Sequence, residues 1–590
     1  MESPRDRDLA SIREARDAAR HARAAQDRLA EFSQSHIDTI VQQMAEAAAA
    51  EAESLATLAV DETGYGVRTD KIQKNLFAAR RVYAFIKDMQ TVGVVRRVPE
   101  RGVLEIAEPF GVVAAIVPST NPTSTAIYKI LIAIKARCAI VLSPHPAAVT
   151  CITTTAQLMA RAGMAAGLPD GAVGWMRTVT LEGTQELMKH RDIAVILATG
   201  GMGLVRAAYS AGKPAYGVGP GNAPAYIERS ADVGKAVRDI VTGKTFDNGV
   251  LCSSENSVVV DRAVADEAKR RFQSSGAHFL SPEDTDRLAN ALVTSQRLPN
   301  PELVGQSATA IASKVGLEVP SDTRVLIAEL EGVGRTYPLS IEKLCPVLSF
   351  YVVDDWRAAC ERCKEILRYG GMGHTMSIHS RDDTVILEFG LRKPASRIVV
   401  NTPTTHGSIG LTTGLDPAMT LGCGGFGGNI TSDNISPRHL LNIKRLAYEI
   451  KTVEASMTRD DHDSPGGVSA GAVERPQAFD SETLSGRIDA FLSTRRLTQP
   501  SPPISPPAAP PYGSLVAPMT PAMHTGLSPA PPDTSHAAAA AASPAEFVCE
   551  DDVRQAMRET RSIVIGEKTI VTPAARDLAE QHGVFIYNGL

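Results

Sequence analysis

The chain has 590 residues, of which 43% are apolar and 22% are charged, with a formal net charge of -5. This mixture is typical of a water-soluble globular protein with more than one domain. The slightly acidic balance supplies no basic face for a phosphate backbone, which argues against nucleic-acid binding. No run of about eighteen apolar residues occurs, and the charged N-terminus MESPRDRDLASIREARDAAR does not resemble a signal peptide. The composition therefore predicts a cytoplasmic protein without a membrane anchor.

The cysteines are scattered through the chain without the spacing of a disulfide framework, so we expect them to be reduced. Cys360 and Cys363 form a lone CxxC in WRAACERCKEIL, but no second Cys or His pair follows at the spacing of zinc ligands. The surrounding pattern predicts a helix with two half-buried thiols. No metal site is predicted.

The first part of the chain, up to about residue 110, is predicted to be mainly helical. REARDAARHARAAQDRLAEF and TDKIQKNLFAARRVYAFIKDM repeat apolar residues three and four positions apart. From Gly111 onward, the predicted strands VVAAIVP, AIVLSP, GAVGWM and AVILATG alternate with helical stretches. Such alternation predicts a doubly wound parallel sheet, in which ligands bind beyond the carboxyl ends of the strands.

A second alternating block follows Val258, with predicted strands in SFYVVDD, TMSIHS and SRIVVN. The chain is therefore predicted to be an α/β protein with a largely disordered C-terminal extension. The predicted parts are N-terminal helices with a Rossmann-type dinucleotide-binding domain (1–243), an α/β catalytic domain (244–430), a return to the nucleotide-binding or oligomerisation region (431–455), a Pro/Ala-rich linker (456–546) and a small helix and strand segment (547–590).

Two islands interrupt the extension. SETLSGRIDAFLSTRRL predicts an amphipathic helix over residues 481–497, whose apolar face contains Leu484, Ile488, Phe491 and Leu492. Such a short helix is marginal alone, so it is expected to dock in a partner's groove or to fold back on the chain's own dimer. In the last segment, VCEDDVRQAMRETR predicts a helix, SIVIGEKTIVT a strand pair around Gly566, and TPAARDLAEQHG a further helix before VFIY.

Five stretches contain residue types suited to chemistry. DNGVLCSSENSVVV places Cys252 between a turn and a strand, where a lone cysteine is more often a small buried residue than a nucleophile. VPSTNPT places Asn121 at a strand end, where its amide either donates to a developing oxyanion or merely favours a turn. ATGGMG is a Gly-rich turn before a helix, which alone is a weak dinucleotide signal. YGVGPGNAP predicts close backbone approach, and EKLCPVLSFY places Glu342 before a strand.

Together these stretches resemble the aldehyde dehydrogenase superfamily, and specifically its coenzyme A-acylating branch. The resemblance covers about residues 25 to 450 and includes DETGYGVRTDKIQKN, PFGVVAAIVPSTNPT and GCGGFGGNITSDNI. This branch contains the aldehyde dehydrogenase half of bifunctional aldehyde/alcohol dehydrogenases and the acylating dehydrogenases of bacterial microcompartments. The resemblance implies an NAD-linked oxidoreductase that forms homo-oligomers.

The resemblance also implies how the acyl group is handled. Cys252 is expected to attack the aldehyde, with Asn121 and the Cys252 backbone N–H holding the oxyanion. Hydride transfer to NAD then leaves a thioester. Hydrolytic members use a glutamate in the segment aligned with YGVGPGNAP, and no carboxylate lies between Gly217 and Pro224. Coenzyme A is therefore expected to take the acyl group. The alternatives are a hydrolytic or acyl-phosphate-linked dehydrogenase and a non-catalytic microcompartment adaptor.

The remaining site predictions come from the same resemblance. Glu342 matches the carboxylate that binds the nicotinamide ribose, and SPHP around His145 leaves NAD and NADP open. His374 is a candidate for the substrate site, although a lone His at a strand start is more often structural. Cys423 is expected to pack. The predicted cofactor-binding residues are Pro118, Ser119, Thr120, Ser143, His145, Thr199, Gly200, Gly201, Gly219, Gly221 and Glu342.

The segments after about residue 455 imply where in the cell the protein acts. The 481–497 helix on its Pro-rich tether resembles the encapsulation peptides that draw enzymes into bacterial microcompartments, and GEKTIVTPAARDLAEQHGVFI resembles a segment found in microcompartment-associated proteins. The implied partners are shell proteins, and the implied process is one such as propanediol utilisation. The expected substrate is propionaldehyde first and acetaldehyde second.

Overall fold

The computed structural model describes residues 4–453 and, with gaps, part of residues 545–587. The chain divides into two compact units, Met1–Ser485 and Gly486–Leu590. The predicted amphipathic helix 481–497 and most of the linker lie outside the described residues. No helix in the described ranges combines the length and the apolar character needed to cross a membrane.

The first unit begins with helices, as the Ala-rich periodicity predicts. Ala15, Ala19 and Ala22 lie on one face of the first helix and are fully buried, and Gly64 ends the third helix in a left-handed conformation with φ of 68°. A π-helical turn, Phe77–Val82, joins the fourth and fifth helices. These elements, with the first two strands, are α1 (Pro4–Leu29), α2 (Gln34–Ala50), α3 (Ala52–Thr63), α4 (Arg68–Leu76), α5 (Tyr83–Ile86), β1 (Gly93–Val98) and β2 (Val103–Pro109).

A five-stranded parallel sheet follows, in the order β5-β4-β3-β6-β7. Its central strand, VVAAIV (112–117), is a run of Val, Ile and Ala that is buried on both faces, which suits a parallel sheet covered by helices. The elements are β3 (Val112–Val117), α6 (Pro122–Lys135), β4 (Ile140–Pro144), α7 (Val149–Ala165), β5 (Val173–Trp175), α8 (Leu181–Lys189), β6 (Ile193–Thr199), α9 (Met202–Tyr209) and β7 (Ala215–Val218). This is the predicted doubly wound architecture.

A seven-stranded parallel sheet follows, in the order β10-β11-β12-β9-β8-β13-β14. Its strands are β8 (Ala223–Ile227), β9 (Glu255–Asp261), β10 (Ala277–Phe279), β11 (Val325–Glu329), β12 (Val347–Val353), β13 (Gly373–His379) and β14 (Ala395–Val400). Its helices are α10 (Val233–Thr245), α11 (Arg262–Ser274), α12 (Pro282–Leu292), α13 (Ala308–Val315), α14 (Trp356–Tyr369), α15 (Asp383–Leu391) and α16 (Thr404–Ser408).

The predicted boundary between residues 243 and 244 falls too late in the chain. Strand β8 already pairs with β9 and β13, so the chain passes from one sheet to the other between Val218 and Ala223. The short apolar run APAYI fits either sheet by its pattern, and only long-range pairing decides which sheet it joins.

The end of the first unit returns to its beginning. Strand β15 (Leu441–Ala447) pairs antiparallel with β2, in a three-stranded sheet of order β1-β2-β15. Most of β15 is exposed. Residues 441–447 of the predicted return to the nucleotide-binding or oligomerisation region (431–455) thus pair with β2, and the role of that region stays a prediction.

The second unit contains β16 (Phe547–Val548), α17 (Glu550–Arg558), β17 (Ile563–Ile565), β18 (Ile570–Val571) and β19 (Phe585–Tyr587). The predicted strand pair around Gly566 is wrong in its pairing. Both strands form, but β17 pairs in parallel with β19 and β18 in parallel with β16. Parallel pairing needs a crossover connection, and α17 lies between β16 and the later strands.

Candidate active site

Three of the predicted site residues, Cys252, His374 and Glu342, lie at or before the amino ends of strands in the seven-stranded sheet. Cys252 follows a 3₁₀ turn, Phe246–Gly249, and precedes β9, while His374 is the second residue of β13. Glu342 lies in the segment before β12. Because β12, β9, β8 and β13 are neighbours in the sheet, these side chains share one edge.

Gly221 is the point at which these residues meet. A Cβ placed on Gly221 would lie 2.0 Å from the Cys252 carbonyl oxygen and 3.1 Å from His374 Nδ1. Only glycine fits such a gap, which is the close backbone approach predicted for YGVGPGNAP. On its other side, the Gly221 N–H donates to Glu342 Oε1 at 2.8 Å. The Cys252 backbone carbonyl, the His374 ring and the Glu342 carboxyl therefore lie around one glycine.

The environment of Cys252 opposes ionisation of its thiol. Burial raises the pKa of Cys252 to about 12, with Glu342 and Cys423 adding to the rise and Arg397 opposing it. Burial also raises the pKa of Glu342 to about 8, opposed by the Gly221 N–H. The thiolate is the reactive form of cysteine. At neutral pH Cys252 is therefore mainly the thiol.

His374 is fully buried beside this centre. Its Nδ1 lies 3.0 Å from Thr375 Oγ1, and Nε2 has no hydrogen-bond partner among the described residues. Burial, followed by the nearby Arg397, lowers the pKa of His374 to about 3, so the ring is neutral. Arg397 on β14 donates to the His374 carbonyl at 3.0 Å and to the Gly422 carbonyl at 2.5 Å. Arg397 therefore joins His374 to the loop that carries Cys423.

Asn121 comes from the other sheet, since it follows β3 and caps α6 without a side-chain capping bond. Lys74 Nζ donates to Asn121 Oδ1 at 2.6 Å, and Asn121 Nδ2 donates to Thr120 Oγ1 at 3.1 Å. With an ammonium on its oxygen, the amide must present its NH₂ group on the opposite side. One N–H of that group remains available for a ligand.

Lys74 is held by a buried ion pair that the sequence analysis missed. Asp247 is fully buried and pairs with both Lys74 and Lys71, the latter at 3.0 Å. Burial lowers the pKa of Lys74 to about 8, against the attraction of Asp247. Lys71 and Lys74 are three residues apart on α4, and this spacing on one helix face was the available signal. The cluster ties the Asn121 amide to the segment that leads into Cys252.

Apart from Glu342, the predicted cofactor-binding residues lie at or just after the carboxyl ends of neighbouring strands in the five-stranded sheet, where a doubly wound sheet binds its ligand. Pro118, Ser119 and Thr120 follow β3, Ser143 and His145 stand at the end of β4, Thr199, Gly200 and Gly201 at the end of β6, and Gly219 and Gly221 follow β7.

The residues of this predicted cofactor-binding set differ in their exposure and in the hydrogen bonds that they form. Ser143 Oγ is bonded to Thr184 Oγ1 at 2.9 Å in the interior, whereas His145 is exposed. Thr199 Oγ1 is buried without a hydrogen-bond partner among the residues that the structure describes. A Cβ on Gly201, just before α9, would meet no atom within 4 Å. An unpaired hydroxyl and an open helix start fit a phosphate-bearing cofactor, although the role of each residue stays a prediction.

Comparison with known proteins gives the class. The sequence profile of the aldehyde dehydrogenase family matches residues 7–309. The chain belongs to the aldehyde dehydrogenase family, which confirms the predicted family and the predicted α/β fold class.

Within the family, the similarity is to acylating enzymes. The chain is 50% identical to an acetylating aldehyde dehydrogenase from Geobacillus thermoglucosidasius, whose structure superposes with a TM-score of 0.74 over 76% of this chain and 98% of that one. It is 39% identical to the bifunctional aldehyde-alcohol dehydrogenase AdhE of Escherichia coli K12 over 83% of this chain and 54% of that protein. The chain thus spans about half the length of the bifunctional relatives it matches.

Two further structures bear on ligands and setting. A propionaldehyde dehydrogenase from the fucose utilisation microcompartment of Clostridium phytofermentans is 28% identical, with a TM-score of 0.67 over 75% of this chain and 98% of its own. The propionaldehyde dehydrogenase of Rhodopseudomonas palustris, solved with bound coenzyme A and an acylated cysteine, is 26% identical, with a TM-score of 0.67 over 74% of this chain and 97% of its own.

Proposed function

We propose that this chain oxidises a short-chain aldehyde with NAD and passes the acyl group to coenzyme A, reversibly. The observation that carries the proposal is that the Cys252 backbone carbonyl, the His374 ring and the Glu342 carboxyl lie around Gly221, in a chain that is 50% identical to an acetylating aldehyde dehydrogenase. The acylated cysteine and bound coenzyme A of the R. palustris relative support the same chemistry.

The reaction follows from the groups in the site. The Cys252 thiolate attacks the aldehyde carbon, and the carbonyl oxygen takes the electron pair. The free N–H of Asn121 and the Cys252 backbone N–H are the donors for that oxyanion, with Lys74 fixing the orientation of the amide. NAD supplies the hydride acceptor. Cys252 then carries a thioester, and attack by the thiol of coenzyme A breaks the C–Sγ bond and releases Cys252 as thiolate.

Release to coenzyme A competes with release to water. The Gly217–Pro224 segment contains no carboxylate, but Glu342 brings one to the Gly221 N–H. This contact favours hydrolysis as the second candidate. With a pKa of about 8, raised by burial, Glu342 is largely protonated at neutral pH and is a weak base there. Acyl transfer to coenzyme A is therefore the preferred outcome.

Product analysis tests the proposal. Purified full-length protein with aldehyde and NAD should form NADH in sustained turnover only when coenzyme A is present, and acyl-CoA should accumulate in equal amount. Equal turnover without coenzyme A would contradict the acylating assignment. A Cys252→Ala variant that keeps full NADH production would contradict the assignment of Cys252 as the nucleophile and would favour a different catalytic centre.

The substrate is proposed to be acetaldehyde or propionaldehyde. The tail favours propionaldehyde through the implied microcompartment, whereas the greater identity to the acetylating enzyme than to the microcompartment enzyme, 50% against 28%, favours acetaldehyde. We place acetaldehyde first on this ground. The ratio of kcat/KM for the two aldehydes, and for NAD against NADP, decides both questions.

The setting is proposed to be a bacterial microcompartment. The support is the resemblance of residues 481–497 to an encapsulation peptide and the similarity to one microcompartment enzyme. Fusion of residues 476–500 to a reporter should make the reporter co-purify with shells. A reporter that stays free, while the full chain enters the shells, would place the signal elsewhere in the chain.

A further inference from the structure

A lysine and a cysteine lie in unusually close contact away from the candidate active site. Lys393 Nζ is 2.5 Å from Cys360 Sγ. Hydrogen bonds from nitrogen to oxygen have a typical length of about 2.9–3.0 Å, and sulfur is larger than oxygen. The contact is therefore shorter than an ordinary hydrogen bond to sulfur. Lys393 Nζ and Cys360 Sγ are close enough for a single bridging atom to join them covalently.

The surroundings of Lys393 favour a reactive amine. Its side chain is buried, and the contacts of Nζ are Cys360 Sγ, the Phe389 carbonyl at 3.3 Å and the Phe389 ring, whose centroid is 3.5 Å away. Among the described residues, no carboxylate forms an ion pair with Lys393. Burial lowers the pKa of Lys393, against the influence of Cys360 and Cys363, so the neutral amine becomes more populated.

Cys360 is accessible to a small oxidant even though it is buried. It lines a cavity of about 570 Å³ together with Trp356, Glu388 and Arg392. Cys363, one helical turn further on, is also fully buried, and burial raises its pKa to about 12. Both thiols are thus more buried than the half-buried pair predicted from the sequence, and only Cys360 has an amine beside it.

We infer that Cys360 and Lys393 form a redox-sensitive pair, which dioxygen converts into a covalent Nζ–O–Sγ cross-link. One oxygen atom becomes the bridge and forms one bond to sulfur and one to nitrogen. The other oxygen atom leaves as water with the thiol hydrogen and one amine hydrogen, so dioxygen accepts four electrons from the pair. Two molecules of a dithiol reductant together supply four electrons and four protons as they form two disulfides, which restores thiol, amine and water.

The cross-link would join elements that support the active site. Cys360 lies on α14, and Lys393 lies between α15 and β14. Strand β14 carries Arg397, which holds the His374 carbonyl, while Asn222, next to Gly221, donates to the Ile366 carbonyl of α14 at 3.3 Å. A covalent link that closes a loop lowers the entropy of the unfolded chain. Oxidation is therefore expected to raise Tm by a few degrees.

Mass spectrometry of the full-length protein tests the inference. Protein held in air without reductant should yield a cross-linked peptide pair that is one oxygen heavier and two hydrogens lighter than the sum of its two peptides. Dithiothreitol should remove both the cross-link and the rise in Tm. The cross-linked peptide pair should be absent from Cys360→Ser and from Lys393→Arg, whereas Cys363→Ser should still form it. An oxidised product confined to sulfinic acid or to a Cys360–Cys363 disulfide, or an unchanged mass in air, would overturn the inference.

Discussion

The contact between Lys74 and Asn121 gives the sharpest test of how this site is oriented. In Lys74→Met the side chain keeps its length but loses the ammonium, so Asn121 Oδ1 loses its donor at 2.6 Å. Asp247 keeps Lys71 as a partner at 3.0 Å, so no uncompensated carboxylate is buried. The effect should therefore fall mainly on the orientation of the amide.

The size of this effect follows from the bond that is lost. Hydrogen bonds to charged groups contribute about 1.5–3 kcal/mol, which corresponds to a loss of roughly 10- to 150-fold in kcat/KM. Removal of the oxyanion donor itself, in Asn121→Ala, should cost about 10² to 10³ in kcat. Lys74→Met should therefore be impaired, but less than Asn121→Ala. The assay is the initial rate of NADH formation with aldehyde and coenzyme A.

A double variant separates positioning from a direct role. If Lys74 acts through Asn121, the Lys74→Met, Asn121→Ala protein should be no slower than Asn121→Ala alone, within about twofold. Lys71→Met is the matched control, since Lys71 also pairs with Asp247 but bonds the Thr120 carbonyl rather than the Asn121 side chain. Lys71→Met should lower Tm to a similar degree with a smaller loss of kcat/KM. Additive losses in the double variant, or normal kinetics in Lys74→Met, would refute the reasoning.

Three further predictions follow from buried groups. Because burial raises the pKa of Cys252 to about 12, the rate at which iodoacetamide alkylates Cys252, measured by mass spectrometry, should rise steeply from pH 7 to pH 9. In the Glu342→Gln variant, Cys252 should be alkylated faster than in wild type at pH 9 but at the same rate at pH 6.5, where the Glu342 carboxyl is already protonated. An alkylation rate that does not change with pH would contradict this prediction. Gly221→Ala should lower kcat/KM by more than about tenfold, because its Cβ would overlap the Cys252 carbonyl, whereas Gly414→Ala, with no atom within 4 Å of its Cβ, should leave activity unchanged. Burial lowers the pKa of Lys129 to about 7, so between that pKa and the ordinary lysine pKa the unfolded chain binds more protons than the folded chain, and the stability contributed by Lys129 rises with pH. The Tm of Lys129→Met minus the Tm of wild type should therefore fall from pH 7 to pH 9.5. A difference that stays constant would contradict the assigned pKa.

Local patterns were sufficient for most of the fold. The strands around Gly111 to Gly200 are short runs of Val and Ile between helical stretches, and each lies where its pattern predicts. The seven-stranded sheet could not be fully predicted from local patterns, because the sequence APAYI does not indicate which of the two sheets this strand joins. The strands on either side of Gly566 likewise fit a hairpin locally, and their parallel pairing depends on residues far along the chain.

The candidate site also contains residues that local motifs predict and residues that depend on long-range contacts. Cys252 and Asn121 stand in family motifs, so both could be singled out from the sequence. The pairing of Lys74 with Asp247 could not, because it joins segments 173 residues apart in the chain. The spacing of Lys71 and Lys74 on one helix face distinguishes the two lysines but does not identify their partner. The short distance between Lys393 and Cys360 is equally long-range and depends on how α14 packs against the residues that follow α15.

The ion pair between α4 and Asp247 also has a consequence for synthesis on the ribosome. Lys71 and Lys74 leave the ribosome well before Asp247, and until then their ammonium groups have no buried counter-charge from that residue. Helix α4 cannot settle into its final place at low cost while the chain is so short. The contact between Lys74 and Asn121 therefore reaches its final geometry only after the segment from Asp247 to Cys252 has been synthesised.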